Sequence, residues 1–504
     1  MAAFSYRFIT SLVVLGILLN YAKASSIGRS SFPQDFIFGA SSSAYQIEGA
    51  ANIDGKGPSN WDYYTYKYPA TTWDHSSGKE GVDFYHRYKD DIKLMKKIGL
   101  THFRFSISWS RILPNGTKAG GVNKLGIDFY NDLINHLLAN DIQPFVTLFN
   151  WDVPQALEHA YGGFLSNEIV PHFRDFAQIC FSKFGDRVKN WITINEPNYY
   201  AILGYALGYQ VPNRCTRWQG PPCVLGGDSA TEPYVVGHNL LLSHAAAVNL
   251  YRQHYHASQE GKIGIAIQCP WLEPFDTNAR NIDAKNRYYE HLCGWIFNPV
   301  TFGDYPKLLH SMVGDRLPKF TAHESKLLKK SYDFIGLNYY TASYVQEDNT
   351  TIPHFELDDH AQKIFHNIDG KVLGKPTSLE WVYDYPEGLE NLTLYLKRNY
   401  DNPIIIVTAN GYPTRDEKNK IYSKEFYLKD QPRIQYVKGH IDHLHRAIES
   451  GANVKGYMIS SFLDGFEWEG GYVLKYGLVY VDRDDGLKRH LKNSAKWYRD
   501  FLHY

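Results

Sequence analysis

Cysteine is scarce: there are five in 504 residues, too few for a scaffold built on disulfides. A surplus of either charge is also missing. Lysine and arginine total 53, aspartate and glutamate total 53, and the formal net charge is zero. That balance argues against a nucleic-acid binder, which needs a basic excess. Beyond the first 24 residues no run reaches about 18 uninterrupted apolar residues, so no membrane contact is expected of the mature chain. No CxxC, HExxH, GxGxxG or P-loop pattern occurs, so no metal and no cofactor is expected. Aromatic residues, by contrast, are abundant at 15% of the chain, with 39 Tyr and 11 Trp. Such rings stack on flat sugar faces, and they also fill large cores. Hydrophobic residues at 44% and charged ones at 21% describe a globular chain, not a disordered one.

Residues 1–24 have the form of a secretory signal. Arg7 gives the positive start, Ile9 to Leu19 the apolar stretch, and Ala22-Lys23-Ala24 the small-x-small cleavage pattern. The compartment expected is the secretory pathway, ending in the apoplast or the vacuole. The C-terminal Phe501-Leu502-His503-Tyr504 is no KDEL-type retention signal. In an oxidising compartment, Cys215 and Cys223, which flank a Pro/Gly-rich loop, are expected to form a disulfide. Cys180, Cys269 and Cys293 lie in apolar contexts and are expected as buried thiols. Asn115, Asn349 and Asn391 begin Asn-x-Thr sequons and are expected glycan acceptors.

From residue 36 onward, short β-rich runs alternate with amphipathic helical runs. The candidate strands are 36–40, 102–108, 143–149, 190–195, 262–267, 333–338, 403–408 and 454–460. Between them, Phe84, Tyr88, Ile92 and Met95 repeat at helical spacing. So do Ile127, Tyr130, Ile134, Leu137 and Leu138, and then Ile169, Phe173, Phe176, Cys180 and Phe184. Eight strands separated by helices predict an α/β protein: a single (β/α)8 barrel over residues 25–504, with extended loops at its C-terminal face. Chemistry in such barrels sits at the C-terminal ends of the strands, so the residues following each strand are the ones to read.

Those segments resemble glycoside hydrolase family 1, the β-glucosidase family, and in particular its secreted plant members. The resemblance rests on Phe32-Pro33 with Phe36, Phe38-Gly39-Ala40 and Tyr45-Gln46-Ile47-Glu48-Gly49. It rests further on Phe103-Arg104-Phe105-Ser106-Ile107-Ser108-Trp109, Asn195-Glu196-Pro197, Gly336-Leu337-Asn338-Tyr339-Tyr340 and Phe466-Glu467-Trp468. It covers essentially the whole mature chain. It implies a small-molecule glycoside or an aglycone-like metabolite as ligand. It makes Glu196 the acid/base and gives sugar contacts to Gln46, Asn195, Tyr339, Glu467, Trp468 and Tyr476. Trp381 resembles the aglycone platform, or is a buried tryptophan under the loop before Tyr385.

The same resemblance exposes departures. Retaining glycosidases use a second carboxylate that attacks the anomeric carbon. The family carries it in a Thr-Glu-Asn-Gly motif, and this chain has Thr408-Ala409-Asn410-Gly411. No acidic residue lies between Pro403 and Gly411. Asn150 stands where the family has a sugar-contacting His, Ser460 where it has Trp, and Gly465 where it has Asn. Arg104, which pairs with the nucleophile in the family, loses that partner, and its charge would then attract an anionic group. Three readings follow. The first is an altered enzyme using Glu196 as general acid/base on a plant specialised metabolite. The second is a non-catalytic pseudo-glycosidase that binds a ligand or a protein partner. The third is an ordinary β-glucosidase carrying an introduced Glu-to-Ala change at 409. Departures clustered around one pocket speak for natural divergence. Without the partner carboxylate, no like charge is expected to raise the pKa of Glu196.

Overall fold

The computed structural model describes residues 27–217, 223, 225–417 and 422–503. Residues 1–24, read above as a secretory signal, lie outside them. Eight parallel strands close into a barrel in chain order. They are β1 (Ile37–Ser41), β2 (His102–Ser106), β3 (Gln143–Phe149), β4 (Asn190–Asn195), β5 (Lys262–Gln268), β6 (Phe334–Asn338), β7 (Ile405–Asn410) and β8 (Val454–Ser460). Each is covered on both faces, so the runs are nearly continuous in apolar residues, as in Ile263–Ile267. An outer ring holds α1 (Phe84–Ile98), α2 (Lys124–Ala139), α3 (Ile169–Phe184), α4 (Glu232–His254), α5 (Trp295–Phe302), α6 (Pro386–Asn399), α7 (Gln431–Glu449) and α8 (Asn493–His503). The residues read as helix faces are buried there, among them Phe84, Ile92, Met95, Ile134 and Phe176. Leu138 is the exception and packs only at the edge of the core.

Phe145, Ile192, Ala266, Phe334, Ile406 and Met458 form one apolar layer inside the barrel, drawn from β3 to β8. It fills the lumen, so chemistry is confined to the C-terminal end, where polar side chains such as Arg104, Thr147, Asn338 and Thr408 gather. Register slips by one residue at several points, twice between β7 and β8 and once in each of two further pairs. Between β4 and β5, Ile192 faces Gly264 but Asn195 faces Ala266. Between β7 and β6, Val407 faces Leu337 but Ala409 faces Asn338. Such irregularities re-aim the side chains beside them. They fall on the two strands that carry Glu196 and Ala409.

Some boundaries move. Pro403 has no N–H to give a ladder, and β7 starts at Ile405 and runs to Asn410, so Ala409 lies within the strand. β2 stops at Ser106 because Ser108 already begins the short helix Trp109–Ile112. The disulfide Cys215–Cys223 is present. The expectation of three buried thiols holds only for Cys180. Cys269 and Cys293 are joined, with Cα atoms 5.8 Å apart, tying the end of β5 to the turn Glu290–Gly294. An apolar context marks burial, and a buried cystine satisfies it as well as a thiol does. Asn115 and Asn349 are exposed, and Asn391 is half-buried on α6. Among the described residues no helix is long and apolar enough to cross a membrane. Nor does any group of three or more His, Cys, Asp or Glu there fit a metal ion.

Candidate active site

Glu196 follows β4 directly and caps the helix Pro197–Tyr205 in a left-handed conformation, φ 48° and ψ 58°. Pro197 suits the first helical position because it has no N–H to leave unpaired. The Glu196 N–H is anchored on the Ala266 carbonyl at 2.8 Å. Asn338 Nδ2, from the end of β6, donates to Glu196 Oε1 at 2.5 Å and to Asn195 Oδ1 at 3.0 Å. Asn338 is itself fixed by the Thr408 hydroxyl, which donates to its Oδ1 at 2.7 Å. Burial pushes the Glu196 carboxyl up to about 7, against the pull of the Asn338 hydrogen bond and the Arg104 charge. No like charge raises it, as expected without the partner carboxylate; desolvation alone does.

Arg104 reaches the same floor from β2. Its Nε donates to Thr147 Oγ1 at 3.2 Å, its Nη1 to the Thr408 carbonyl at 3.1 Å and its Nη2 to Asn195 Oδ1 at 2.5 Å. All three acceptors are neutral. Burial pulls its pKa down to about 10, with Glu196 and Tyr340 acting the other way. Ala409 is the next residue along from the Thr408 carbonyl and is buried, and its own carbonyl accepts from the Tyr339 N–H at 3.0 Å.

The opposite wall comes from the loops after β1 and β8. Gln46 Nε2 donates to Glu467 Oε2 at 2.9 Å, and Ser43 holds Gln46 Oε1 at 2.7 Å. Glu467 Oε1 is buried without a partner among the described residues. Burial, with Asp464 and Glu469 adding, lifts this carboxyl to about 8. Trp468 lies against Trp151, ring centroids 4.9 Å apart, and the Trp151 N–H donates to the Asn195 carbonyl at 3.0 Å. Trp151 thus links Trp468 to the backbone at Asn195. Asn150 is buried next to Trp151, and among the described residues its amide has no hydrogen-bond partner. Ser460, the last residue of β8, is half-buried.

One assignment fails. The Tyr339 ring is fully buried, its hydroxyl donates to the Tyr385 carbonyl at 2.7 Å, and it lies against His440 of α7. It belongs to the barrel–helix interface. The neighbouring Tyr340 fits better: burial, then the Glu196 charge, push its hydroxyl up, and its ring meets Tyr476 edge-on at 6.2 Å. Strand alternation carries the signal: Asn338 faces inward, so Tyr340, two residues on, does too. The same logic identifies Asn338. Trp381 is 37% exposed, so it is not a tryptophan buried under a loop.

The family model for glycosyl hydrolase family 1 matches residues 28–504. The chain belongs to glycoside hydrolase family 1. Beta-glucosidase 17 of Arabidopsis thaliana is 51% identical to it over 483 residues, 95% of this chain and 92% of that protein. A furostanol glycoside 26-O-beta-glucosidase of Hellenia speciosa is 49% identical, over 94% of this chain and 84% of that protein. A crystal structure of the rice beta-glucosidase Os3BGlu6 superposes with a TM-score of 0.92 at 43% identity, covering 94% of this chain and 99% of that one. The family 1 barrel thus extends over the whole described chain.

Proposed function

We propose that this family 1 protein lacks the retaining nucleophile, Ala409 standing in its place, and acts on a plant specialised metabolite with Glu196 as general acid/base. The ligand is a glycoside or an aglycone-like small molecule. The observation that carries the reading is the asymmetry of the site. Glu196 is buried, hydrogen-bonded and raised to about 7, near the pH at which an acid/base works best. Gln46, Glu467 and Trp468 stand together on the sugar side. The β7 end offers only a methyl group, which cannot form a glycosyl-enzyme. The relative named for a furostanol glycoside fits a role in specialised metabolism. Divergence, not a single introduced change, is supported at Gly465. A Cβ built there would come within 2.8 Å of the Gln46 carbonyl, so the loop after β1 is packed onto a glycine. We also place the mature protein in the secretory pathway, in the apoplast or vacuole, with glycans on its sequons.

The test is a rescue assay with an activated aryl β-glucoside, with and without azide. Aryl release only with azide means that the glycone binds productively and only the nucleophile is missing. Release without azide refutes the reading of Ala409. No release in either case, with a metabolite turned over by the protein but not by Glu196→Gln, supports the altered enzyme. A screen in which Glu196→Gln leaves every activity intact removes the acid/base role.

A further inference from the structure

Among the described residues, five arginines and lysines are buried: Arg104, Arg111, Arg433, Lys475 and Lys492. Four of them face a carboxylate. Arg111 meets Glu48 at 2.9 Å, Arg433 meets Asp430 at 2.9 Å, Lys475 meets Asp416 at 2.5 Å and Lys492 meets Asp464 at 2.7 Å. That is the general rule for charges taken out of water, because an unpaired one is costly. Arg104 breaks the rule. Among the described residues no carboxylate hydrogen-bonds or ion-pairs with it, and three of its five N–H groups are spent on neutral oxygens. The one carboxyl that acts on it at longer range, Glu196, is held by Asn338 and raised by its own burial, so it is a weak counter-ion near neutral pH.

We infer that the pocket floor between Arg104 and Ala409 is a carboxylate-binding subsite, and that the natural ligand carries a carboxylic acid there. The inference rests on Ala409 standing in the nucleophile's place, because a glutamate at 409 would itself supply the missing charge. A carboxylate matches the planar fork of a guanidinium. Asn150 and Ser460, at the ends of β3 and β8, add neutral hydrogen-bonding side chains.

The test uses the full chain and formate as probe, with chloride and neutral formamide as controls, read by calorimetry and by the shift in melting temperature. A ligand that binds only the folded state raises that temperature. Formate is expected to bind and stabilise, and formamide is not. Arg104→Gln and Ala409→Glu should each weaken formate binding by at least about tenfold. Ala409→Gln, which fills the space without charge, should weaken it as well while leaving the circular dichroism spectrum of the fold unchanged. Equal binding of formate by wild type and Arg104→Gln overturns the inference, as does chloride binding as well as formate or no formate binding at all. The nucleophile reading is scored separately on Ala409→Glu. Aryl β-glucoside hydrolysis regained in that variant, with no formate binding by wild type, keeps the reading and discards the subsite. Formate binding by wild type with no hydrolysis regained keeps an anion site and discards the reading.

Discussion

Arg104 and Arg111 sit on either side of the turn that leaves β2, both buried, and the chain treats them differently. Arg111 gives its Nε to Glu48 at 2.9 Å and its Nη2 to the Gly49 carbonyl at 3.1 Å, and Glu48 in turn takes a hydrogen bond from Tyr130 at 2.6 Å. Its guanidinium also lies 4.3 Å from the centroid of the Tyr85 ring. Every charge there is answered from within the fold. Arg104 has only neutral acceptors. A closed ion pair fixes the loop that carries Gln46, whereas an unanswered cation leaves charge for a ligand to meet. The first arrangement serves stability and the second serves binding. Their energetics under mutation should separate accordingly.

The largest effect is expected where the closed pair is broken. Glu48→Gln leaves the Arg111 charge buried without its partner and should cost about 3–5 kcal/mol in urea unfolding. Arg104→Met removes a charge that strands no carboxylate, and stability should change by no more than about 1 kcal/mol. If Arg104→Met proves as damaging as Glu48→Gln, Arg104 has an internal counter-ion and the contrast between the two arginines collapses.

A second experiment sharpens the pocket side by pH. The Glu196 carboxyl is raised from an ordinary 4.5 to about 7 in the fold. The folded state therefore holds this proton across that window while the unfolded chain loses it, so stability falls as pH rises from about 4.5 to 7. Glu196→Gln removes the penalty. The variant should be more stable than wild type at pH 8 by about 1–3 kcal/mol, at about 1.4 kcal/mol per pKa unit, with the gain shrinking toward pH 5. Parallel melting curves check this. A gain independent of pH would mean that burial is not what holds the proton. Any turnover that uses Glu196 as an acid should decline as pH passes about 7.

The barrel was legible because periodicity is local. Phe84, Tyr88, Ile92 and Met95 announce a helix face whatever surrounds them, and eight such alternations leave few folds to choose from. The segments that end the strands stood out through the family resemblance, because motifs such as Asn195-Glu196-Pro197 and Phe466-Glu467-Trp468 are contained within a few residues. What could not be read depends on distance across the fold. The Cys269–Cys293 bond joins positions whose contexts speak only of burial. The height of the Glu196 pKa depends on desolvation, a property of the closed pocket. The bulges in β4 and β7 belong to pairs of strands, not to either strand alone. Tyr339 was a different kind of miss, because the alternation that assigns Tyr340 to the pocket is present in the sequence.

That pair gives the smallest and most discriminating prediction. Tyr339→Phe deletes a hydroxyl whose hydrogen bond to the Tyr385 carbonyl, 2.7 Å long, ties the end of β6 to the start of α6. The carbonyl keeps its bond from the Gly388 N–H at 3.1 Å, and the cost should be about 1 kcal/mol of stability with ligand binding intact. Tyr340→Phe deletes a hydroxyl that feels the Glu196 and Glu467 charges. It should leave the melting temperature nearly unchanged and weaken binding of glucose or of an aryl glucoside by several-fold, since one hydrogen bond contributes about 1 kcal/mol. Unfolding curves and glucose titrations on both variants decide the matter. The reverse pattern, with Tyr339→Phe impairing binding and Tyr340→Phe impairing stability, would return the pocket role to Tyr339 and make the inward parity of β6 wrong.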